Sequence, residues 1–175
     1  METPRLTLMT GGARSGKSAH AVALAMAYPG SRRFFLATAE ALDDEMRARI
    51  ERHRADRAPS FITIEEPITI APALESLEGR ADIVVLDCLT LWISNLMAKS
   101  LDDAEIIARG QDLAAVLDRV NFGVMVVTGE VGSGIVPEYP SARRFRDLHG
   151  WINQRVARAA DRVILMTAGY PLVIK

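Results

Sequence analysis

The 175 residues carry 21 Lys and Arg against 22 Asp and Glu, a formal net charge of −1, which gives no basic footprint for nucleic acid. That length suits one α/β domain, residues 1–175, with a proper core and no second domain. Cys88 is alone, so a disulfide framework and a zinc cluster are excluded, and a reducing cytoplasm is the expected compartment.

In chain order, Leu6-Thr7-Leu8-Met9-Thr10 reads as a short buried strand, residues 11–18 as a glycine-rich turn and Ala19 to Ala27 as a helix. Phe34-Phe35-Leu36-Ala37 predicts a second strand, followed by a helix from Leu42 to Arg57 with Leu42, Met46 and Ile50 on one stripe. Phe61 to Ile64 predicts a strand, and Ala71 to Leu77 a short helix near a proline. The β-branched run Ile83-Val84-Val85-Leu86 has the signature of a strand buried on both faces, as does Val124 to Val127. Between them lie a helix from Leu89 to Ala98 and another reaching about Val120, opened by a capping box at Ser100-Leu101-Asp102-Asp103 and weakened at Gly110. Ala142 to Ala159 is amphipathic, with Phe145, Leu148, Ile152 and Val156 on one face. Val163 to Met166 and Leu172 to Ile174 close the chain as strands around a Gly-Tyr-Pro turn. The expected architecture is a mostly parallel sheet of the RecA-like P-loop type, flanked by helices, with the last strand antiparallel at an edge. The N-terminus enters a strand without the charged and apolar regions of an export signal, and none is expected. The apolar stretch 163–174 is broken and too short to span a bilayer.

The glycine-rich turn reads Gly11-Gly12-Ala13-Arg14-Ser15-Gly16-Lys17-Ser18, between a strand and a helix, which is the context a phosphate-binding loop requires. Gly11 and Gly16 let the backbone curl until its N–H groups converge on an anion, and the helix dipole adds to the same spot. Lys17 would lie against the outer phosphates of a nucleoside triphosphate, with the Ser18 hydroxyl in the coordination shell of Mg²⁺. Kinases, nucleotidyl transferases, switches and motors all use such a loop, so the rest of the site must decide among them.

In a parallel sheet that site lies beyond the carboxyl ends of the strands. Asp87 ends one of them and is the expected acidic partner of the loop for Mg²⁺, although a helix-capping carboxylate would look the same. Glu130 is a second candidate acid, in a loop with three glycines in six residues that reads as flexible. His53 falls on the apolar stripe of its helix, where spacing fits a core histidine as well as a functional one.

Several segments together resemble a known family. They are the loop Gly11 to Ser18, Ala37-Thr38-Ala39 with Leu42 to Met46, and the Arg-Ile-x-x-His segment ending at His53. Leu86 to Trp92, Glu130 to Glu138, Ala142 to Leu148, Asn153-Gln154-Arg155 and Ala168 to Leu172 complete the set. In this order they resemble the bifunctional adenosylcobinamide kinase/adenosylcobinamide-phosphate guanylyltransferases of cobalamin biosynthesis. The pattern departs at Gly129, where the family has Asn before the Glu, and at Trp151, where an aliphatic residue or Arg is usual.

The resemblance implies phosphorylation of adenosylcobinamide by ATP or GTP. Transfer of GMP from GTP to that phosphate then gives adenosylcobinamide-GDP and pyrophosphate. It also implies a GMP-histidine adduct at His53, with Lys17 acting in catalysis. Nucleotide contacts would come from Gly11, Gly12, Ala13, Arg14, Ser15, Gly16, Lys17, Ser18, Ala37, Thr38, Ala39, Arg54, Ala55, Asp56, Arg57, Glu65 and Asp87, and Mg²⁺ from Ser18 and Asp87. A homo-oligomer, a trimer by resemblance, is expected, with no nucleic acid and no membrane span. The rival readings are a single-activity small-molecule kinase, in which His53 has no role, and a nucleotide-dependent switch or binding module.

Overall fold

Residues 3–40 and 60–175 are described by the computed structural model. Strand β1 (Leu6–Gly11) leads into helix α1 (Lys17–Ala27), and β2 (Arg33–Ala37) follows. Next come β3 (Phe61–Glu65), α2 (Ile70–Glu75), β4 (Ile83–Asp87), α3 (Leu89–Ala98), α4 (Asp103–Arg119) and β5 (Gly123–Val127). Helix α5 (Pro140–Ala159) precedes the terminal pair β6 (Arg162–Thr167) and β7 (Tyr170–Val173). The helix expected over 42–57 lies outside the described residues.

The strands form one sheet in the order β3-β2-β4-β5-β1-β6-β7. The β1, β2, β3, β4, β5 and β6 pairings are parallel, and β7 runs antiparallel to β6 at the edge. The period-two alternation of strand side chains splits the core into two layers. Leu6, Leu8, Val84, Leu86, Val124 and Val126 face a cluster supplied by α2, α3, α4 and α5. Met9, Ile83, Val85, Met125 and Val127 face Ala21 and Ala25 of α1. A strand covered on both sides has no polar face to show, which is why β4 and β5 read as unbroken apolar runs.

Three expectations shift, at the capping box, the last turn and the start of α5. The capping box is Asp102 with Glu105, not Ser100 to Asp103: the Asp102 carboxylate accepts from the Glu105 N–H and the Glu105 carboxylate from the Asp102 N–H, both at 2.8 Å. Ser100 instead takes the left-handed conformation just past α3, with φ 60°. Helix α4 runs unbroken through Gly110. A Cβ there would sit 2.9 Å from Ile152 Cγ1, so the glycine lets α4 and α5 approach closely. The last turn is Ala168-Gly169, with φ 52° and 86°, while Tyr170 and Pro171 already pair with β6. Two successive positive φ values fit the right-handed twist of a tight hairpin. Helix α5 starts at Pro140 rather than Ala142, because proline suits the first helical turn.

Candidate active site

The phosphate loop begins where β1 ends. Gly11 has φ 148°, and a Cβ there would lie 2.4 Å from the Met166 carbonyl oxygen of β6 and 2.8 Å from Ser15 Oγ. No larger residue fits between these strands. Gly16 at φ 92° turns the chain into α1, whose first turn holds no acidic residue and no side-chain cap. Its positive end is therefore directed at the loop without a competing carboxylate. Lys17 donates from Nζ to the Gly12 carbonyl at 2.6 Å and lies 3.4 Å from Ser15 Oγ. Partial burial pushes the Lys17 pKa below its usual value, and the Asp87 carboxylate acts in the opposite sense.

Sheet register aligns the other acids. Asp87 pairs with Ala37 on one side and Val127 on the other, and Ala37 pairs in turn with Glu65. Glu65, Ala37, Asp87 and Val127 thus form one row at the carboxyl edge, although they are distant in sequence. Thr38 is fully buried. Its N–H donates to the Asp87 carbonyl at 3.0 Å. Its hydroxyl donates to the Cys88 carbonyl and accepts from the Cys88 N–H, each at 2.8 Å. Asn95 donates to the Thr38 carbonyl at 2.7 Å and to the Pro67 carbonyl at 3.1 Å. Thr38 therefore latches β2 to β4, and its side chain is engaged with backbone. The Cys88 thiol is pushed up to about 11 by burial first and by the Asp87 charge second.

The loop after β5 is braced by hydrogen bonds along its length. The Glu130 N–H donates to the Gly11 carbonyl at 2.9 Å. The Glu130 Oε1 accepts from the Gly132 N–H at 2.6 Å and the Ser133 N–H at 3.1 Å, capping its own turn. Arg146 donates to the Gly132 carbonyl, and Arg143 to the carbonyls of Pro137 at 3.0 Å and Glu138 at 2.5 Å.

Ala37, Glu65 and Asp87 line the carboxyl edge of the sheet from which residues 11–18 also leave, and Thr38 and Ala39 follow Ala37 in the chain. His53, Arg54, Ala55, Asp56 and Arg57 lie outside the described residues. Sequence reasoning missed the polar set of buried Thr128 and His149 with half-buried Thr90 and Asn153. The available signal was spacing: His149 and Asn153 are each four residues from the next member of the series Phe145, His149, Asn153, beside the apolar stripe of α5.

Among solved structures, the flagellar accessory protein FlaH of Methanocaldococcus jannaschii is similar at TM-score 0.55 and 13% identity, over 98% of this chain and 78% of that one. The RadB recombinase is similar at TM-score 0.50 and 16% identity, over 93% and 74%. These likenesses show the fold. The chain is 39% identical to the bifunctional adenosylcobalamin biosynthesis protein CobU of Escherichia coli, over 97% of this chain and 99% of the relative. It is 38% identical to the bifunctional adenosylcobalamin biosynthesis protein CobP of Pseudomonas aeruginosa, over 96% of each. Residues 7–174 match the family described as cobinamide kinase / cobinamide phosphate guanyltransferase. With the match running almost end to end, the chain belongs to the cobinamide kinase / cobinamide phosphate guanyltransferase family.

Proposed function

We propose that this chain carries both activities of its family on one nucleotide site, phosphorylating adenosylcobinamide and then transferring GMP from GTP to the new phosphate. The observation that carries this is the family match over residues 7–174, laid on a loop whose Gly11, Gly16 and Lys17 have the geometry to hold phosphates. In the kinase step, loop N–H groups and the Lys17 ammonium neutralise the phosphate oxygens as the substrate hydroxyl attacks the terminal phosphorus. Ser18 and Asp87 offer a hydroxyl and a carboxylate, hard oxygen donors that suit Mg²⁺. Among the described residues no group of three or more His, Cys, Asp and Glu could hold a metal alone, so phosphate and water oxygens would complete its shell. The ion, when bound, supplies charge neutralisation at the phosphates.

In the transferase step the proposed nucleophile is His53. A ring nitrogen forms a bond to the α-phosphorus of GTP as the bond to pyrophosphate breaks; the phosphate of adenosylcobinamide phosphate then displaces the histidine. A neutral imidazole suits this near pH 7. Protein incubated with GTP labelled at the α-phosphate should retain label that is acid-labile and alkali-stable. His53→Ala should lose the label and the guanylyl transfer while keeping measurable kinase activity. Uptake of GMP by the alanine variant, or label mapping to His20 or His149, would refute the assignment. A protein that phosphorylates adenosylcobinamide but never takes up label would be a kinase of one activity.

A further inference from the structure

Behind the loop after β5 lies a polar cluster centred on buried His149 and Thr128 that the proposed chemistry does not use. His149 of α5 is 1% exposed, with its ring 5.5 Å from that of Phe145. Its Nε2 lies 3.2 Å from Thr90 Oγ1 at the start of α3 and 3.1 Å from Thr128 Oγ1 just past β5. Its Nδ1 lies 3.2 Å from Asn153 Nδ2.

The surrounding bonds fix the tautomer. The Thr128 hydroxyl donates to Asn153 Oδ1 at 2.8 Å, and Asn153 Nδ2 donates to the Gly129 carbonyl at 3.2 Å. Turning the amide over would set its oxygen against that carbonyl, so the NH₂ group faces His149 Nδ1, which must accept. The ring proton is therefore on Nε2 and is shared by the two threonine oxygens. Thr90 Oγ1 also accepts the Gly129 N–H at 2.7 Å. Both backbone groups of Gly129 are thus held by partners of His149. The next residue, Glu130, bonds Gly11 at 2.9 Å, and the Thr10 hydroxyl donates to the Gly129 carbonyl at 3.3 Å.

We propose that His149 is a positioning residue for the nucleotide site: its Nε2–H imidazole, acting through Thr90, Thr128 and Asn153, fixes Gly129 and so the Glu130–Gly11 bond that sets the base of the phosphate loop. The proposal rests on residues 11–18 being the nucleotide site. His149 touches no reacting atom. An apolar side chain in its place takes one hydrogen-bond partner from the Asn153 amide and one from each threonine hydroxyl.

The test compares full-length wild type, His149→Phe, His149→Gln and Thr90→Val in thermal melts, direct GTP binding and steady-state adenosylcobinamide phosphorylation with GTP. Phe keeps the aromatic contact with Phe145 and removes the hydrogen bonds, whereas Gln restores a donor near the Nε2 position. The GTP kcat/KM of His149→Phe should fall about tenfold or more, chiefly through KM, and His149→Gln should recover most of it. Thr90→Val, which removes the acceptor of the Gly129 N–H but keeps the side-chain shape, should repeat the loss and stands in if His149→Phe fails to fold. Wild-type KM in a folded His149→Phe or in Thr90→Val would overturn the proposal. So would equal impairment of the Phe and Gln variants, since shape and not hydrogen bonding would then be at work. Failure of the wild type to bind GTP would instead refute the nucleotide-site reading.

Discussion

Glu130 donates its backbone N–H to the carbonyl of Gly11 at 2.9 Å, which ties the loop after β5 to the first residue of the phosphate loop. Through that bond the loop after β5 is fastened to the start of the glycine-rich loop proposed to hold phosphates. The same edge aligns Glu65, Ala37 and Asp87 by strand register.

The Lys17 ammonium and the Asp87 carboxylate serve both reactions of the proposed scheme. Lys17→Ala and Asp87→Asn should each lower kcat for phosphorylation and for guanylyl transfer, by about 10²–10³-fold, the scale seen when a preorganised charge-stabilising group is removed. Parallel assays of both steps with Mg²⁺ check this. Near-normal rates in Asp87→Asn would remove it from the metal site.

Gly11→Ala places a methyl group 2.4 Å from the Met166 carbonyl oxygen at a backbone φ of 148°. Neither strand can move aside without disturbing the β1–β6 ladder. The variant should lose about 1–3 kcal/mol of stability, as overpacked sites do, and GTP affinity with it. Chemical denaturation alongside nucleotide titration measures both; a variant with wild-type values for each would show that the close approach is not required.

Burial lowers the His149 pKa, and the Glu130 carboxylate opposes this only in part. The folded state then binds the imidazole proton less readily than the unfolded chain does. Stability from this group is complete above the unfolded histidine pKa of about 6.5 and declines as pH drops below it. Melting temperatures followed from pH 7.5 down to 5 (roughly the histidine range) should show a decline that is shallower in His149→Gln. Identical slopes would assign the acid sensitivity to other groups.

Asp82 works on a lower pH range. Its carboxylate accepts from the Arg32 side chain and from the Arg32 and Ser31 N–H groups, and it is held at about 2, below its ordinary 3.8. The stability it contributes is present above the unfolded value and is lost as pH falls through the folded one. Asp82→Asn should flatten the stability profile between pH 4 and pH 2, approximately the two ends of that window; an unchanged acid limb would show the contact to be neutral.

Strand β7 sits at the sheet edge with Tyr170, Leu172 and Val173 exposed at 79%, 60% and 60%. An apolar edge of this kind favours association. The homo-oligomer that the family resemblance implies should therefore appear in sedimentation as a species larger than the 19.1 kDa chain. Leu172→Lys should shift the distribution toward that mass if this edge is buried in the assembly. A monomeric wild type would end the proposal of an oligomer.

The sequence alone determined what depends on neighbours along the chain. A strand, a glycine-rich turn and a helix in succession fix a phosphate loop, because the backbone N–H groups that bind the anion are consecutive. Unbroken apolar runs in β4 and β5 announce strands covered on both sides, because alternation vanishes when both faces are dry. Order and period sufficed for the parallel architecture, and a set of motifs in sequence carried the family. Which cap opens α4 and which residues turn between β6 and β7 depend on φ values that composition signals only loosely, and both came out one or two positions away. Tertiary structure alone decided the alignment of Glu65, Ala37 and Asp87, since register is a property of paired strands. It also decided that Gly110 packs against Ile152 and that Thr38 latches two strands together. His149 reaches Thr128 and Thr90 across 21 and 59 positions of sequence. Its place beside the apolar stripe of α5 could announce burial, but only folding brings together the groups that satisfy it.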